Sequence, residues 1–367
     1  MSELFAYHPL APYGWDEEFA DAFTPYAAGG SVPGRIVRVD RGRCDLVVTA
    51  DGGDGVRTVQ ADTSLVTTGD PLHIMCTGDW AAVDLTTGYV RGLLPRRTAF
   101  VRSTSSQRSE GQILAANVDR ALIAVPLSAD LDLGRVERFL ALAWESGAEP
   151  VVVLTKADLV PSAAALGHLL ADTEAAAPGV QVFAVSAATG EGTDVLSAVL
   201  AGGTSVLLGP SGAGKSTLAN ALVGADVQDV RAIRDRDGKG RHTTTTRNLL
   251  PLPGGGVLID TPGLRGVGLW DAESGVSRTF SEIEALAENC RFQDCAHNTE
   301  PGCAVTHALH EGTLSPRRLD SYRKLLRENQ RIAARTDARM RAEMRREWKL
   351  RAAEGAHMAE RKRGRLR

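Results

Sequence analysis

The run Gly209-Pro210-Ser211-Gly212-Ala213-Gly214-Lys215-Ser216-Thr217 has the composition of a loop that holds a polyphosphate. Its glycines let successive backbone N–H groups turn toward one point, and the helix that must follow adds the positive end of its dipole. Lys215 offers a cation to the β- and γ-phosphates, and the Ser216 hydroxyl is a ligand for Mg²⁺. An apolar run at 205–208 leads in and a helical pattern leads out. A plain glycine turn with an incidental lysine would lack that context. Further on, Asp260-Thr261-Pro262-Gly263 follows the apolar stretch 257–259. Asp260 is placed to reach Mg²⁺ through water, and the Gly263 amide to sense a γ-phosphate.

Between these motifs lies Gly238-Lys239-Gly240-Arg241-His242-Thr243-Thr244-Thr245-Thr246. Thr244 or Thr245 is expected to complete the Mg²⁺ shell. Leu264 stands after Gly263, where a water-orienting glutamine would act. Unstimulated hydrolysis should therefore be slow, on the order of 10⁻⁴–10⁻² s⁻¹. His242 is the candidate replacement as the catalytic water-positioner. The competing reading is a loop histidine that meets RNA or solvent.

Two tetrapeptide-scale signals speak to the base. Thr155-Lys156-Ala157-Asp158 ends the apolar run 151–154, and Ser186-Ala187-Ala188 ends the run 180–185. The Asp158 carboxylate can accept from N1–H and N2–H of guanine, a pair that adenine does not present. The Lys156 stem can lie on the purine face, and the Ser186–Ala187 turn can offer an amide to O6. Each alone would be noise, but together at strand ends they describe a guanine site. Both precede the phosphate loop in the chain. Ligands of doubly wound sheets sit at the carboxyl ends of the strands, so chain order can rotate without moving the site if the old termini are joined. The joint falls in 190–203, and the order is that of a circularly permuted GTPase.

Cys290, Cys295, His297 and Cys303 supply three thiolates and an imidazole within a short span. That set is a closed tetrahedral shell for structural Zn²⁺. His307 and His310 are spare candidates. The segment has few apolar residues, so metal binding worth about 10–16 kcal/mol is expected to fold it by itself. Cys44 and Cys76 fall in the N-terminal β region and read as core thiols. Five cysteines in 367 residues exclude a disulfide scaffold.

The composition, 43% hydrophobic and 24% charged, is that of a globular protein. No stretch approaches the ~18 apolar residues of a membrane span. Asp16, Glu17 and Glu18 stand where a secretion signal would need basic and then apolar residues, which predicts a cytosolic chain with no membrane partner. The net charge of −3 hides a division. Residues 317–367 hold 18 Lys+Arg against 7 Asp+Glu, which leaves 24 against 38 elsewhere. A basic tail on an acidic body suits a polyanionic partner, although interspersed acids also fit a solvated helix.

The elements that must position these residues follow from periodicity. Residues 1–30 read as an arm with a short helix. Short β runs at 34–39, 44–49, 57–61, 80–85 and 89–94 predict a closed OB-type barrel over 31–105. Strand and helix signals alternate through 106–270, which implies a parallel sheet covered by helices. The stretch 103–111 reads as a polar, mobile linker. A zinc segment spans 271–316, and a basic helical tail spans 317–367. Ser315-Pro316 opens that last helix, with Leu319, Tyr322, Leu326 and Asn329 on one face.

Taken together, these residues resemble the circularly permuted ribosome-biogenesis GTPases of the RsgA/YjeQ family along nearly the whole chain. Local signatures agree: Gly78-Asp79-Trp80, Leu94-Pro95-Arg96-Arg97-Thr98, Asn117-Val118-Asp119 and the Gly240–Thr245 stretch. Thr155 stands where the general guanine motif has Asn, which puts base specificity mainly on Asp158. The resemblance implies a late-stage maturation factor of the small ribosomal subunit, a monomer in the cytoplasm. It would use GTP, GDP, Mg²⁺ and one structural Zn²⁺, and its hydrolysis would be stimulated by the subunit. Barrel and zinc segment would contact ribosomal RNA. The alternatives are an RNA-binding module with a static nucleotide, or a permuted GTPase for the large subunit.

Overall fold

The computed structural model describes residues 7–70, 73–103, 111–224, 247–260 and 272–336. Five strands close the barrel: β1 (Val32–Asp40), β2 (Arg43–Thr49), β3 (Val56–Asp62), β4 (Trp80–Asp84) and β5 (Tyr89–Leu93). Their order around it is β1-β2-β3-β5-β4. Alternation puts Ile36, Leu46, Val48, Ala61, Val83 and Val90 inside, and Cys44 joins them. Gly34 must be small, because a Cβ there would meet Leu46 and Val48 at 3.1 Å. Cys76 is also buried, but against Ile113 and Ala116 at the barrel's junction with the next domain.

The arm carries helix α1 (Glu17–Ala27), capped by Asp16, whose carboxylate accepts from the Phe19 N–H. Its apolar face seats Phe19 and Phe23, with Trp15 beside them, on the outside of the barrel around Trp80. Strands β6 (Ala99–Ser103) and β7 (Gly111–Ala116) then form an antiparallel hairpin with Ser103 opposite Gly111. The stretch expected to be a linker is thus flanked by paired strands. Alanine and glutamine in Gly111–Ala116 carry little β signal, so only the cross-strand partner defines that strand.

A six-stranded sheet follows: β8 (Arg120–Pro126), β9 (Glu149–Thr155), β10 (Gln181–Val185), β11 (Thr204–Leu208), β12 (Asn248–Pro251) and β13 (Val257–Asp260). The spatial order is β10-β9-β8-β11-β13-β12. Every neighbouring pair is parallel except β12 with β13. Helices α2 (Leu133–Glu145), α3 (Ala163–Ala176), α4 (Thr193–Leu200) and α5 (Lys215–Val223) cover it. Strand β12, an antiparallel edge, has no clear signal in the sequence because four residues give too short a period to count.

The C-terminal helices are α6 (Glu273–Thr279), α7 (Ser281–Ala287), α8 (Ala304–His310) and α9 (Pro316–Thr336). The expectation of a segment without its own apolar core needs correction. Phe280, Ile283, Val305, Ala308, Leu314, Leu319, Tyr322 and Leu325 all enter the principal core beside Phe139 and Leu140. These residues are too sparse in any one short helix to announce a core, but four helices pool them. At the seam Gly275 is indispensable, since a Cβ there would fall 2.0 Å from the Ala141 carbonyl oxygen. The fully buried Glu137 carboxylate accepts from Arg317 at 2.9 Å and Arg318 at 2.8 Å. Arg318 also reaches Glu282 at 2.6 Å and the Ala176 carbonyl at 2.8 Å. No described helix is long and apolar enough to cross a membrane.

Candidate nucleotide site and metal centre

Strand β11 is buried along its whole length and ends at Leu208. The chain then turns through Gly209, Gly212 and Gly214, whose φ values are 139°, 80° and 77°. Side chains resist that region, and glycine enters it without a Cβ penalty. At Gly209 the demand is also steric, because a Cβ would lie 2.5 Å from the Ala124 carbonyl oxygen on β8. Pro210 and Ala213 close the loop through an N–H···O bond of 3.3 Å. Helix α5 starts at Lys215, so Ser216 and Thr217 occupy its first turn. The Lys215 Nζ donates to the carbonyls of Gly209 and Pro210, both at 2.8 Å. The ammonium thus arches over the loop, where phosphate oxygens would compete for it. Ser211 and Gly212 form the exposed tip.

The candidate base-reading loops come to the same place from β9 and β10. Thr155, the last residue of β9, donates from Oγ1 to the Ala213 carbonyl at 2.7 Å. Lys156 adopts a left-handed conformation, φ 61°, and its Nζ donates to Ser128 Oγ at 3.1 Å. Its stem runs beside the phosphate loop: Lys156 Cε and Thr155 Oγ1 each lie 3.9 Å from where a Gly214 Cβ would stand. Ala157 is buried and Asp158 exposed in the single 3₁₀ turn that follows. Ser186, fully buried after β10, donates to Asp158 Oδ1 at 2.6 Å. That bond holds one edge of the carboxylate in place. Ala187, next to Ser186, is half-buried.

Asp260 ends β13 one residue past the Val206–Ile259 pairing, on the strand beside β11. The sheet therefore delivers it to the edge where Lys215 and Ser216 lie. His242, Thr244, Thr245 and Gly263 lie outside the described residues.

In the sequence Thr155 is no more than a departure from Asn. In the structure its hydroxyl ties the base loop to the phosphate loop. A threonine at the end of a buried strand was the available signal.

In the C-terminal segment the ligand atoms of Cys290, Cys295, His297 and Cys303 all lie within 4.8 Å of one another. Cys290 Sγ stands 3.6 Å from His297 Nδ1 and 3.8 Å from Cys303 Sγ. Cys303 Sγ stands 3.5 Å from His297 Nδ1. Bonds of about 2.0–2.3 Å to a tetrahedral zinc require edges of this length, so the donor set fits the ion. Burial pushes the Cys303 thiol up, but the Thr306 N–H and hydroxyl, with His297 and Cys295, outweigh it and hold it at about 6. It is ready to ligate as thiolate. Gly302, φ 76°, turns the chain back, and Arg323 donates to the His297 carbonyl. His307 is exposed and paired with Glu311 at 3.2 Å, and neither it nor His310 joins the cluster.

A parallel nucleotide sheet whose base loops precede its phosphate loop defines a circularly permuted GTPase. The comparisons narrow this. A family model described as RsgA GTPase matches residues 93–270. A Streptomyces avermitilis protein named small ribosomal subunit biogenesis GTPase RsgA is 69% identical over 359 residues, 97% of this chain and 95% of its own. The Streptomyces coelicolor protein of that name is 68% identical over 360 residues, 98% of this chain and 97% of its own. Among solved structures, YjeQ from Thermotoga maritima superposes with a TM-score of 0.60 at 25% identity, over 82% of this chain and 98% of that one. YloQ, described as a circularly permuted GTPase, gives 0.58 at 21% identity over 82% and 95%, a likeness of fold. The chain belongs to the RsgA family of GTPases.

Proposed function

We propose that this protein hydrolyses GTP as a late-stage assembly factor of the small ribosomal subunit, and that the subunit stimulates the reaction. The observation that carries the GTP reading is the convergence of Asp158, Ser186 and Thr155 on the loop that bears Lys215. Asp158 reads N1–H and N2–H of guanine, and the 209–214 amides with Lys215 hold the phosphates. Ser216, Asp260 and one of Thr244 or Thr245 would hold Mg²⁺, which supplies charge neutralisation at the transferring phosphoryl group. His242 is assigned the orientation of water. With leucine after Gly263, the chain on its own turns over slowly and depends on an activator.

Cys290, Cys295, His297 and Cys303 would hold one structural Zn²⁺, which shapes the loop between α7 and α8. The relatives' printed names support the small subunit as partner. We assign the rRNA contacts to the barrel (31–105) and the zinc module (271–316), on either side of the GTPase domain (106–270). The described part of the arm (7–30) packs on the barrel, and the basic tail (317–367) adds polyanion affinity. The working form is a cytoplasmic monomer. In the sequence Gly263 runs directly into the zinc module, so contacts to the γ-phosphate would be relayed to its RNA-binding face.

The test is GTP turnover by the wild-type and Lys215→Ala proteins, each alone and with purified small or large subunits. The proposal requires slow turnover alone, stimulation by small subunits only, and loss of both in the variant. Equal stimulation by either subunit, or none, contradicts it.

A further inference from the structure

A second cleft, about 360 Å³ in volume, opens between the arm, the barrel and the starts of the sheet strands. Trp15, Phe19, Arg35, Arg97, Asp119 and Arg120 line it, with the Gly202–Gly203 turn at its rim. Thr204 opens β11 and Arg120 opens β8, whereas the nucleotide loops leave the opposite ends of these strands. Five residues at about 3.3 Å each separate the two ends, so the cleft and the GTP site do not overlap.

Its charges are unevenly matched. Arg97 is neutralised by Asp16 at 2.5 Å and Glu18 at 2.8 Å, and lies 3.8 Å over the Phe19 ring. Asp119 accepts from the Thr204 N–H at 2.7 Å. Arg35 is 1% exposed, yet has no carboxylate at ion-pair distance among the described residues. One of its nitrogens donates to the Asn117 carbonyl at 3.0 Å and Thr204 Oγ1 at 3.1 Å, and the guanidinium sits 5.1 Å from the Trp80 ring. Its Nε is buried with no hydrogen-bond partner. Burial lowers its pKa to about 10 against the longer-range pull of the Asp119 and Asp79 carboxylates, which leaves it charged at neutral pH. The Arg120 side chain has no hydrogen bond or ion pair among the described residues.

Gly203 keeps the space beside Arg120 open, since a Cβ there would fall 2.8 Å from Arg120 Nη1 and 3.3 Å from Asp119 Oδ2. A buried guanidinium with an unused donor is costly, and an anion with several acceptor oxygens relieves it. The volume lies at the small end of the ligand-pocket range of about 300–1,000 Å³.

We propose that this cleft is a second anion site, which takes a small phosphate-bearing ligand between Arg35 and Arg120. Guanidinium pairs favour phosphate for its charge and its fork of oxygens. Residues from the arm, barrel and sheet meet here, so occupancy would tie the three together at the foot of the strand that feeds the phosphate loop.

The test is calorimetric titration of the full chain with inorganic pyrophosphate, in magnesium-free buffer with the GTP site saturated by GDP. Saturable binding is expected in wild type, weakened about tenfold or more by Arg120→Gln and abolished by Gly203→Val. Binding should persist in Lys215→Ala, which disables the phosphate loop instead. Turnover of GTP by Arg120→Gln should match wild type, which separates the cleft from the catalytic site. Absence of saturable binding, loss in Lys215→Ala, or indifference to Arg120→Gln would overturn the proposal. So would binding of an RNA oligonucleotide that depends on Arg120 while pyrophosphate does not bind. Should Gly203→Val fail to fold, Arg120→Gln carries the test, with a pyrophosphate-soaked crystal as the second readout.

Discussion

The Thr155 hydroxyl donates to the Ala213 carbonyl at 2.7 Å, across 58 positions of chain. This bond makes the base loop and the phosphate loop one mechanical unit, although the polypeptide reaches them in inverted order. A neutral buried hydrogen bond contributes about 1 kcal/mol, and an orphaned carbonyl costs more. Thr155→Ala should therefore weaken GDP binding about five- to thirtyfold, and Thr155→Ser should restore most of it. Equilibrium titration with a fluorescent GDP analogue measures both.

On the proposed function, discrimination among purines falls to Asp158. Its carboxylate is positioned by Ser186 and presents acceptors only. Asp158→Asn turns part of that edge into a donor, which repels the guanine N–H groups and suits the C2 carbonyl of xanthine. GTP affinity should fall about a hundredfold while that for xanthosine triphosphate rises. Competition titration gives the ratio, and an unchanged ratio would remove Asp158 from the base site.

The metal cluster should hold one zinc per chain, measurable by elemental analysis. The helices around it share the principal core, so chelation should loosen the loop between Ala287 and Ala304 without unfolding the sheet. Hydrogen exchange will show this as lost protection confined to that loop. Global unfolding on chelation would mean that metal, not the shared core, holds the C-terminal helices.

The Glu137–Arg318 pair fastens those helices to α2. Removing one partner of a buried pair typically costs about 3–5 kcal/mol, because the other charge stays buried. Arg317 also reaches Glu137, so Arg318→Met should sit near the lower end and lower the thermal midpoint. Glu137→Leu combined with Arg318→Met should recover part of the loss. Additive losses would mean that the pair is not coupled.

The residues that the structure brings together were legible where chemistry demands residue types at fixed spacing. Gly209 to Thr217, Asp158 and the Cys₃His set are examples, since a phosphate, a purine edge and a tetrahedral ion tolerate few alternatives. The barrel and the parallel sheet followed from period-2 and buried-run patterns. Illegible were features whose partners lie far along the chain. Nothing local marks Gly111–Ala116 as a strand until Ala99–Ser103 pairs with it. Nothing local in the sequence marks Arg35 and Arg318 as buried, yet both are covered by elements distant in sequence. Phe280, Ile283 and Leu325 looked too scattered to form a core, because the core they enter belongs mostly to α2 and the sheet.

The most direct measurement is a crystal structure of the full chain with GDP bound. The guanine edge is expected on the Asp158 carboxylate and the β-phosphate within hydrogen-bond distance of Lys215 Nζ, in a single molecule of ligand. A nucleotide seated on the phosphate loop with its base remote from Asp158 would contradict it.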